Sequence, residues 1–491
     1  MSRLSDKAVD AIALRVLDHL RAGSDTNDAP SGPSALHPSQ AEAISRSGSL
    51  PAGVFQSIDR CVSAATTAFV ELSKLGLESR REIIASIRES MLAQAVSLAQ
   101  NAHEETGLGR LDDKIIKNQE VSRKTQGPEA LDPTGYTGDK GLTLMERAPF
   151  GVIAAITPMT NPTSTIICNA IGMIAAGNSV VFNVHPNAKR VSCRNVGLIN
   201  EAIMKAGGPP NIVTAMAEPT IESAQALMHH PGIRLLVVTG GGGVIKAAMN
   251  SGKRAVCAGP GNPPVVVDET ANIEQAGRDL VKGASFDNNI VCVDEKEAFV
   301  VDAVADRLLK VMSANDAVVL TKPQTQAVEK VIFKEVRGPR QPGVVAPELI
   351  GKNAGVILEK IGMRVPDSVR LAVIEVDASH PLVWTEQLMP VFPVVRVRSA
   401  DEGIDMAIAA EQSLHHSAGM HSMHLGHLSR MARECNCSIF VKNGPLYSGL
   451  GVEAEGYVSF SIASPTGEGL TGPVAFSRER RCVLVDHFRI V

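Results

Sequence analysis

The chain has 491 residues, of which 44% are apolar and 20% charged, and a formal net charge of -4. That length buries more than one core, so two or more domains are expected. The charge excludes a broad basic surface for nucleic acid, no apolar run approaches the roughly 18 residues of a membrane span, and the eight cysteines form no dense disulfide framework.

In chain order, Leu4, Ala8, Ile12, Val16 and Leu20 recur every four residues. This spacing predicts an amphipathic helix over 1–22. A Ser-, Pro-, Gly- and Asp-rich stretch then predicts a flexible linker over 23–53. A helix docked on its own domain is the alternative. From Val54 to Asn118 the pattern is that of packing helices, with Ile83, Ile84, Ile87 and Met91 as one stripe. A short strand is expected at Leu142–Met145 and a buried one at Val152–Ile156. Strands at Ser179–Phe182, Ile212–Ala215 and Leu235–Val238 then alternate with helices at Ile166–Ala176, Ala188–Lys205, Ile221–Met228 and Val244–Asn250. This βα succession predicts a mostly parallel sheet covered on both faces. A second such region, from Val265 to about Val441, carries strands at Pro264–Asp268 and Ala298–Val301. Arg481–Asp486 reads as a last strand, too far along the chain to be a hairpin partner of the others.

The ends of the first strands are where an α/β sheet binds its ligand. They carry Thr157-Pro158, then Asn183-Val184-His185-Pro186, then Thr239-Gly240-Gly241-Gly242-Gly243. A glycine run opening a helix lets backbone N–H groups approach a pyrophosphate. It lacks the G-x-G-x-x-G spacing, so a tight turn is an equal reading. Cys292 follows adjacent amides and an acid in Asp287-Asn288-Asn289-Ile290-Val291. A thiol is well suited to attack a carbonyl, but an inert buried residue is the alternative for every cysteine. His421, His424 and His427 have a spacing that could place them on one helical face. With no carboxylate or cysteine interleaved, surface or pocket-lining histidines are expected and no metal. Cys435-Asn436-Cys437 reads as two buried thiols at a strand start.

Several motifs in this order carry a family resemblance: Pro149-Phe150-Gly151, Thr160-Asn161-Pro162-Thr163, Ala176-Gly177-Asn178, His185-Pro186, Gly261-Asn262-Pro263-Pro264, Lys282 to Cys292, Lys442-Asn443-Gly444-Pro445 and Pro465-Thr466-Gly467-Glu468-Gly469. From about Val54 to Val491 the chain resembles the coenzyme A-acylating aldehyde dehydrogenases of bacterial ethanolamine- and propanediol-utilisation microcompartments. The resemblance implies an α/β aldehyde dehydrogenase fold. Its parts would be a Rossmann-like NAD-binding domain (54–131 and 151–257), an α/β catalytic domain (258–442) and a β oligomerisation arm (132–150 and 466–491). It implies that Cys292 is the nucleophile and that Asn161, with the Cys292 amide, is the oxyanion hole. Alignment to Thr160 is possible, but only an amide nitrogen is a strong fixed donor. Glu386 would hold the nicotinamide ribose, and Thr157, Pro158, Asn183, His185, Pro186, Thr239, Gly240, Gly241, Gly259 and Leu388 would complete the dinucleotide site.

Two departures inform this mapping. Hydrolytic relatives have a glutamate where Cys257 stands, 35 residues before the nucleophile. Without that base a thioester should survive until coenzyme A arrives. Asn183 stands where many have a lysine, so NAD follows from the resemblance alone. The implied partners are a short-chain aldehyde (propionaldehyde or acetaldehyde), coenzyme A, further subunits in a homodimer or homotetramer, and microcompartment shell proteins bound through residues 1–22. Nucleic acid and membrane are not expected as partners. The implied location is the lumen of a bacterial microcompartment in the cytoplasm. A hydrolytic aldehyde dehydrogenase and an idle cargo protein are the competing readings.

Overall fold

The computed structural model describes residues 50–490. The helix expected over 1–22 and most of the linker expected over 23–53 lie outside them. Among the described residues no helix is long and apolar enough to cross a membrane.

Short runs of consecutive apolar residues suit strands buried on both faces, and such runs form two parallel sheets. The first sheet has the order Val54–Phe55, Val213–Met216, Ser179–Asn183, Val152–Ile156, Leu235–Thr239, Ala255–Ala258. Beside it pack the helices Ile58–Leu72, Leu77–Thr106 and Leu111–Lys124, the second burying the stripe of Ile83, Ile84, Ile87 and Met91. The second sheet has the order Ala317–Val319, Leu371–Glu375, Val391–Val397, Glu297–Val301, Pro264–Val267, Ser417–His421, Ile439–Lys442. A third, antiparallel sheet joins Thr134–Gly138, Gly141–Pro149 and Ser477–Val485, with Leu142 opposite Leu484. The last strand thus pairs with the one expected near Leu142, which is far longer than Leu142–Met145.

Most boundaries fall within a residue or two of the expected ones. The helix expected from Ile166 starts a turn earlier, at Pro162. A proline at the first helical position has its φ preset for helix and lacks only an N–H that has no partner there.

One possible spacing is not realised, and one expectation fails. His421 ends a strand, His424 caps the helix Leu425–Cys435 by accepting from the His427 N–H, and only His427 is helical, so the three share no face. His416 and His421 are buried, and burial lowers their pKa to about 3 and about 4. Cys435 closes that helix, and Asn436 stops it with a φ of 48°. The next strand starts only at Ile439, so this pair does not stand at a strand start.

Candidate active site

From its central strand Val152–Ile156 the chain builds the first sheet outward to Ser179–Asn183 and Val213–Met216. It then returns to add Leu235–Thr239 and Ala255–Ala258 on the other side. The order reverses between Val152–Ile156 and Leu235–Thr239, and the crevice beyond their carboxyl ends is where such sheets take ligands. Thr157 and Pro158, Asn183, His185 and Pro186, Thr239 to Gly241, and Gly259 all follow or end strands at this edge. Thr157 is buried and its hydroxyl has no protein partner. Gly241, Gly242 and Gly243 open the helix Gly242–Met249, and a Cβ on any of them would meet nothing within 4 Å. No side chain or backbone therefore crowds this face of the glycine run. Asn183 is committed within the protein, since its side-chain oxygen accepts from Ser223 Oγ at 2.6 Å.

The chain leaves this edge through Gly259 and enters the second sheet at Pro264, so the carboxyl edge of one sheet lies beside the amino edge of the other. Gly259 is needed for close approach, because a Cβ there would sit 2.9 Å from Pro465 Cγ. Four adjacent strands of the second sheet, starting at Val391, Glu297, Pro264 and Ser417, are led in by segments carrying Glu386, Cys292, Gly261 and His416. Gly261 is their meeting point. Its N–H donates to Glu386 Oε1 at 3.2 Å, and a Cβ on it would lie 2.8 Å from both the Cys292 carbonyl oxygen and His416 Cγ.

Cys292 is partly exposed, and its thiol is pushed up to about 12. Burial is the main cause, the Glu386 carboxylate adds to it, and Lys296 opposes both. Burial likewise raises Glu386. Lys296 anchors the turn ahead of Cys292 by donating to Asn289 O at 2.9 Å, Asn289 Oδ1 at 2.7 Å and Val291 O at 3.2 Å. His416 Nδ1 lies 2.8 Å from Ser417 Oγ, while its buried Nε2 has no partner. Leu388 holds a left-handed backbone (φ 52°), and its carbonyl accepts from the Gly351 N–H.

Asn161 precedes the helix Pro162–Ala175 but makes no capping hydrogen bond with its side chain. Its Oδ1 instead accepts from Lys117 Nζ at 2.6 Å. Lys117 also pairs with the buried Asp287, which accepts from Lys114 Nζ at 3.0 Å and the Arg110 N–H at 2.7 Å. Lys117 and Lys296 are not legible as site residues in the sequence, where a lysine by itself looks like any surface lysine, and Asp287 is visible only as the acid ahead of Cys292. Only the low cost of a left-handed backbone at Asp and Asn hints at the turn Asp287-Asn288-Asn289, whose φ values are 45°, 57° and 65°.

Cys257 is fully buried in the apolar cluster that includes Val152, Ile156 and Val238. It is a core residue rather than a wall of the cleft, and no carboxylate occupies its position. Among the described residues no group of three or more His, Cys, Asp or Glu could hold a metal ion.

Two parallel sheets, an antiparallel arm and a cysteine between the sheet edges agree with a sequence comparison in which the aldehyde dehydrogenase family profile matches residues 34–456. The chain belongs to the aldehyde dehydrogenase family. The acetylating acetaldehyde dehydrogenase EutE of Salmonella typhimurium is 50% identical over 440 residues, covering 89% of this chain and 94% of that protein. The CoA-propanoylating propanal dehydrogenase of the same organism is 43% identical over 439 residues, covering 89% and 93%. Among solved structures, a Rhodopseudomonas palustris propionaldehyde dehydrogenase with bound CoA and an acylated cysteine has a TM-score of 0.86 and 45% identity, covering 88% of this chain and 98% of that one. A propionaldehyde dehydrogenase from the fucose-utilisation microcompartment of Clostridium phytofermentans gives 0.86 and 42%, covering 90% and 100%.

Proposed function

We propose that this chain oxidises a short-chain aldehyde, acetaldehyde or propionaldehyde, with NAD and coenzyme A, and releases acyl-CoA through a thioester on Cys292. The observation that carries this is the convergence of Cys292, Glu386 and His416 on Gly261, with an apolar core residue, Cys257, where a hydrolytic enzyme needs its base. The relatives' activities on acetaldehyde and propanal support it.

The residues at the carboxyl edge of the first sheet fit a dinucleotide. The uncrowded glycine run at the start of the helix Gly242–Met249 suits its pyrophosphate. The unpartnered Thr157 hydroxyl and the walls formed by Pro158, His185, Pro186, Thr239 and Gly259 suit the rest. Glu386 would accept from the nicotinamide ribose. When bound there, NAD would supply the hydride acceptor for the oxidation.

The chain's own residues do the remainder. Cys292 gives up its proton to solvent, and its thiolate attacks the aldehyde carbon to form a C–S bond as the carbonyl π bond opens to an oxyanion. The Asn161 amide and the Cys292 N–H stabilise the oxyanion that develops. After oxidation the thiolate of coenzyme A adds to the thioester carbon, and the C–S bond to Cys292 breaks to regenerate its thiolate. Water is a poor competitor because no base at position 257 activates it. The balance is aldehyde, coenzyme A and NAD⁺ going to acyl-CoA, NADH and a proton. In the same reading 54–131 with 151–257 bind NAD, 258–442 carries the nucleophile, the arm joins subunits, and residues 1–22 bind a microcompartment shell.

NADH formation should continue over many turnovers with coenzyme A and fall to a few per cent without it. Cys292→Ser should leave NAD binding intact and reduce oxidation to below a few per cent, since a hydroxyl at its normal pKa is a poor nucleophile. Sustained NADH formation without coenzyme A would establish the hydrolytic reading, and full activity in Cys292→Ser would place the nucleophile elsewhere.

A further inference from the structure

We infer that Lys117 is a positioning residue of the oxyanion hole: by holding the Asn161 side-chain oxygen it turns the amide nitrogen toward the substrate. This rests on the reading of Asn161 as an oxyanion donor and adds a residue to it. Lys117 is only 2% exposed and donates to Asn161 Oδ1 at 2.6 Å. An ammonium carries donors and no acceptor, so the oxygen and not the nitrogen of the amide must face it. Nδ2 is thereby aimed away, with Thr160 Oγ1 at 3.3 Å as its one protein partner. One of its two hydrogens is left for a ligand.

The same ammonium is fixed from behind. It pairs with Asp287, and Lys114 and the Arg110 N–H hold that carboxylate from other directions. Asp287 begins the left-handed turn that leads to Cys292. Lys117 therefore ties the expected oxyanion donor, at the start of a helix of the first sheet, to the segment that delivers the nucleophile. Stability gives little reason for a lysine here, since replacing a buried ion pair by apolar residues is often neutral or stabilising. The Phe460 ring, 5.9 Å from Nζ, adds an apolar wall that keeps water from the pair.

A double-mutant cycle separates this from a merely structural role. Asn161→Ala should lower kcat by about 10²–10³-fold, the usual loss for one oxyanion donor. Lys117→Met, which leaves Asp287 its Lys114 partner, should lower kcat about 10-fold or more, with the KM for aldehyde and the affinity for NAD within about threefold of wild type. Introduced into Asn161→Ala, the same change should cost less than about twofold, because the group it positions is gone. Lys117→Gln, which keeps an N–H donor, should recover part of the rate. A Lys117→Met enzyme of wild-type rate, or a full multiplicative loss in the Asn161→Ala background, overturns the inference. So does loss of the folded state, read by thermal melting, in both Lys117 variants. A wild-type rate in Asn161→Ala overturns the reading of Asn161 itself, which the other outcomes leave standing.

Discussion

A thiol pushed up to about 12 is neutral at pH 7, so Cys292, the proposed nucleophile, holds only a trace of thiolate at rest. The sign of the pH dependence follows. Below that pKa the thiolate fraction grows tenfold per pH unit, so alkylation of Cys292 by iodoacetamide, in protein free of NAD, should accelerate about tenfold per unit from pH 7 to 10. No plateau is expected in that range, and a plateau near pH 8, read by peptide mass spectrometry, would refute the neutral resting state. Glu386→Gln removes one of the groups that raise the thiol and should speed the reaction at fixed pH. At this scale the sequence was informative only where a residue type carries its chemistry by itself. Glycines at a strand end and a cysteine after a polar turn are visible in this way. Lys117 and Lys296 owe their roles to partners that composition does not reveal: Lys117 meets Asp287 from a position 170 residues away.

Among the elements, the strands Val152–Ile156, Ser179–Asn183, Val213–Met216 and Leu235–Thr239 of the first sheet and Pro264–Val267 and Glu297–Val301 of the second were legible, because continuous apolar runs leave no face to water. The remaining strands of both sheets were not read from the sequence. The arm was harder to read. Ser477–Val485 has one buried residue, Ser477, and the charged run Arg478-Glu479-Arg480-Arg481, so neither alternation nor continuous burial marks its full length. Its pairing with Gly141–Pro149 depends on contacts remote in sequence. That strand leaves Val483 54% and Val485 61% exposed on one side of a sheet whose edge is open, a surface suited to covering by another subunit. Val483→Asp with Val485→Asp should therefore shift the protein to monomers in light scattering while circular dichroism stays unchanged. An unaltered oligomer would remove the arm from the subunit contact.

For the whole molecule, the two α/β units meet through the short passage from Gly259 to Pro263, which sets the carboxyl edge of one sheet against the amino edge of the other. The site residues all fall within the described residues 50–490, and the proposed shell-binding segment, 1–22, lies ahead of them. Deleting residues 1–22 should leave kcat, KM and oligomer state near wild type while abolishing co-purification with microcompartment shells. Encapsulation of the truncated enzyme as efficiently as the full chain would end the targeting reading. Within the described residues, the turn Asp287-Asn288-Asn289 sets an order of events during folding. Three successive left-handed residues are not a conformation the chain holds by itself. They are held by Arg110 and Lys114 from one side, and by Asn353 and the Gly351 carbonyl, which accept from Asn288 Nδ2, from the other. These four are distant in sequence, whereas Lys296, which donates to Asn289, is local. Until both sides have docked, nothing presents Cys292 in its reactive setting, so a chain still folding does not yet expose the arranged nucleophile to the aldehydes around it, and on refolding the return of activity should trail the return of helix.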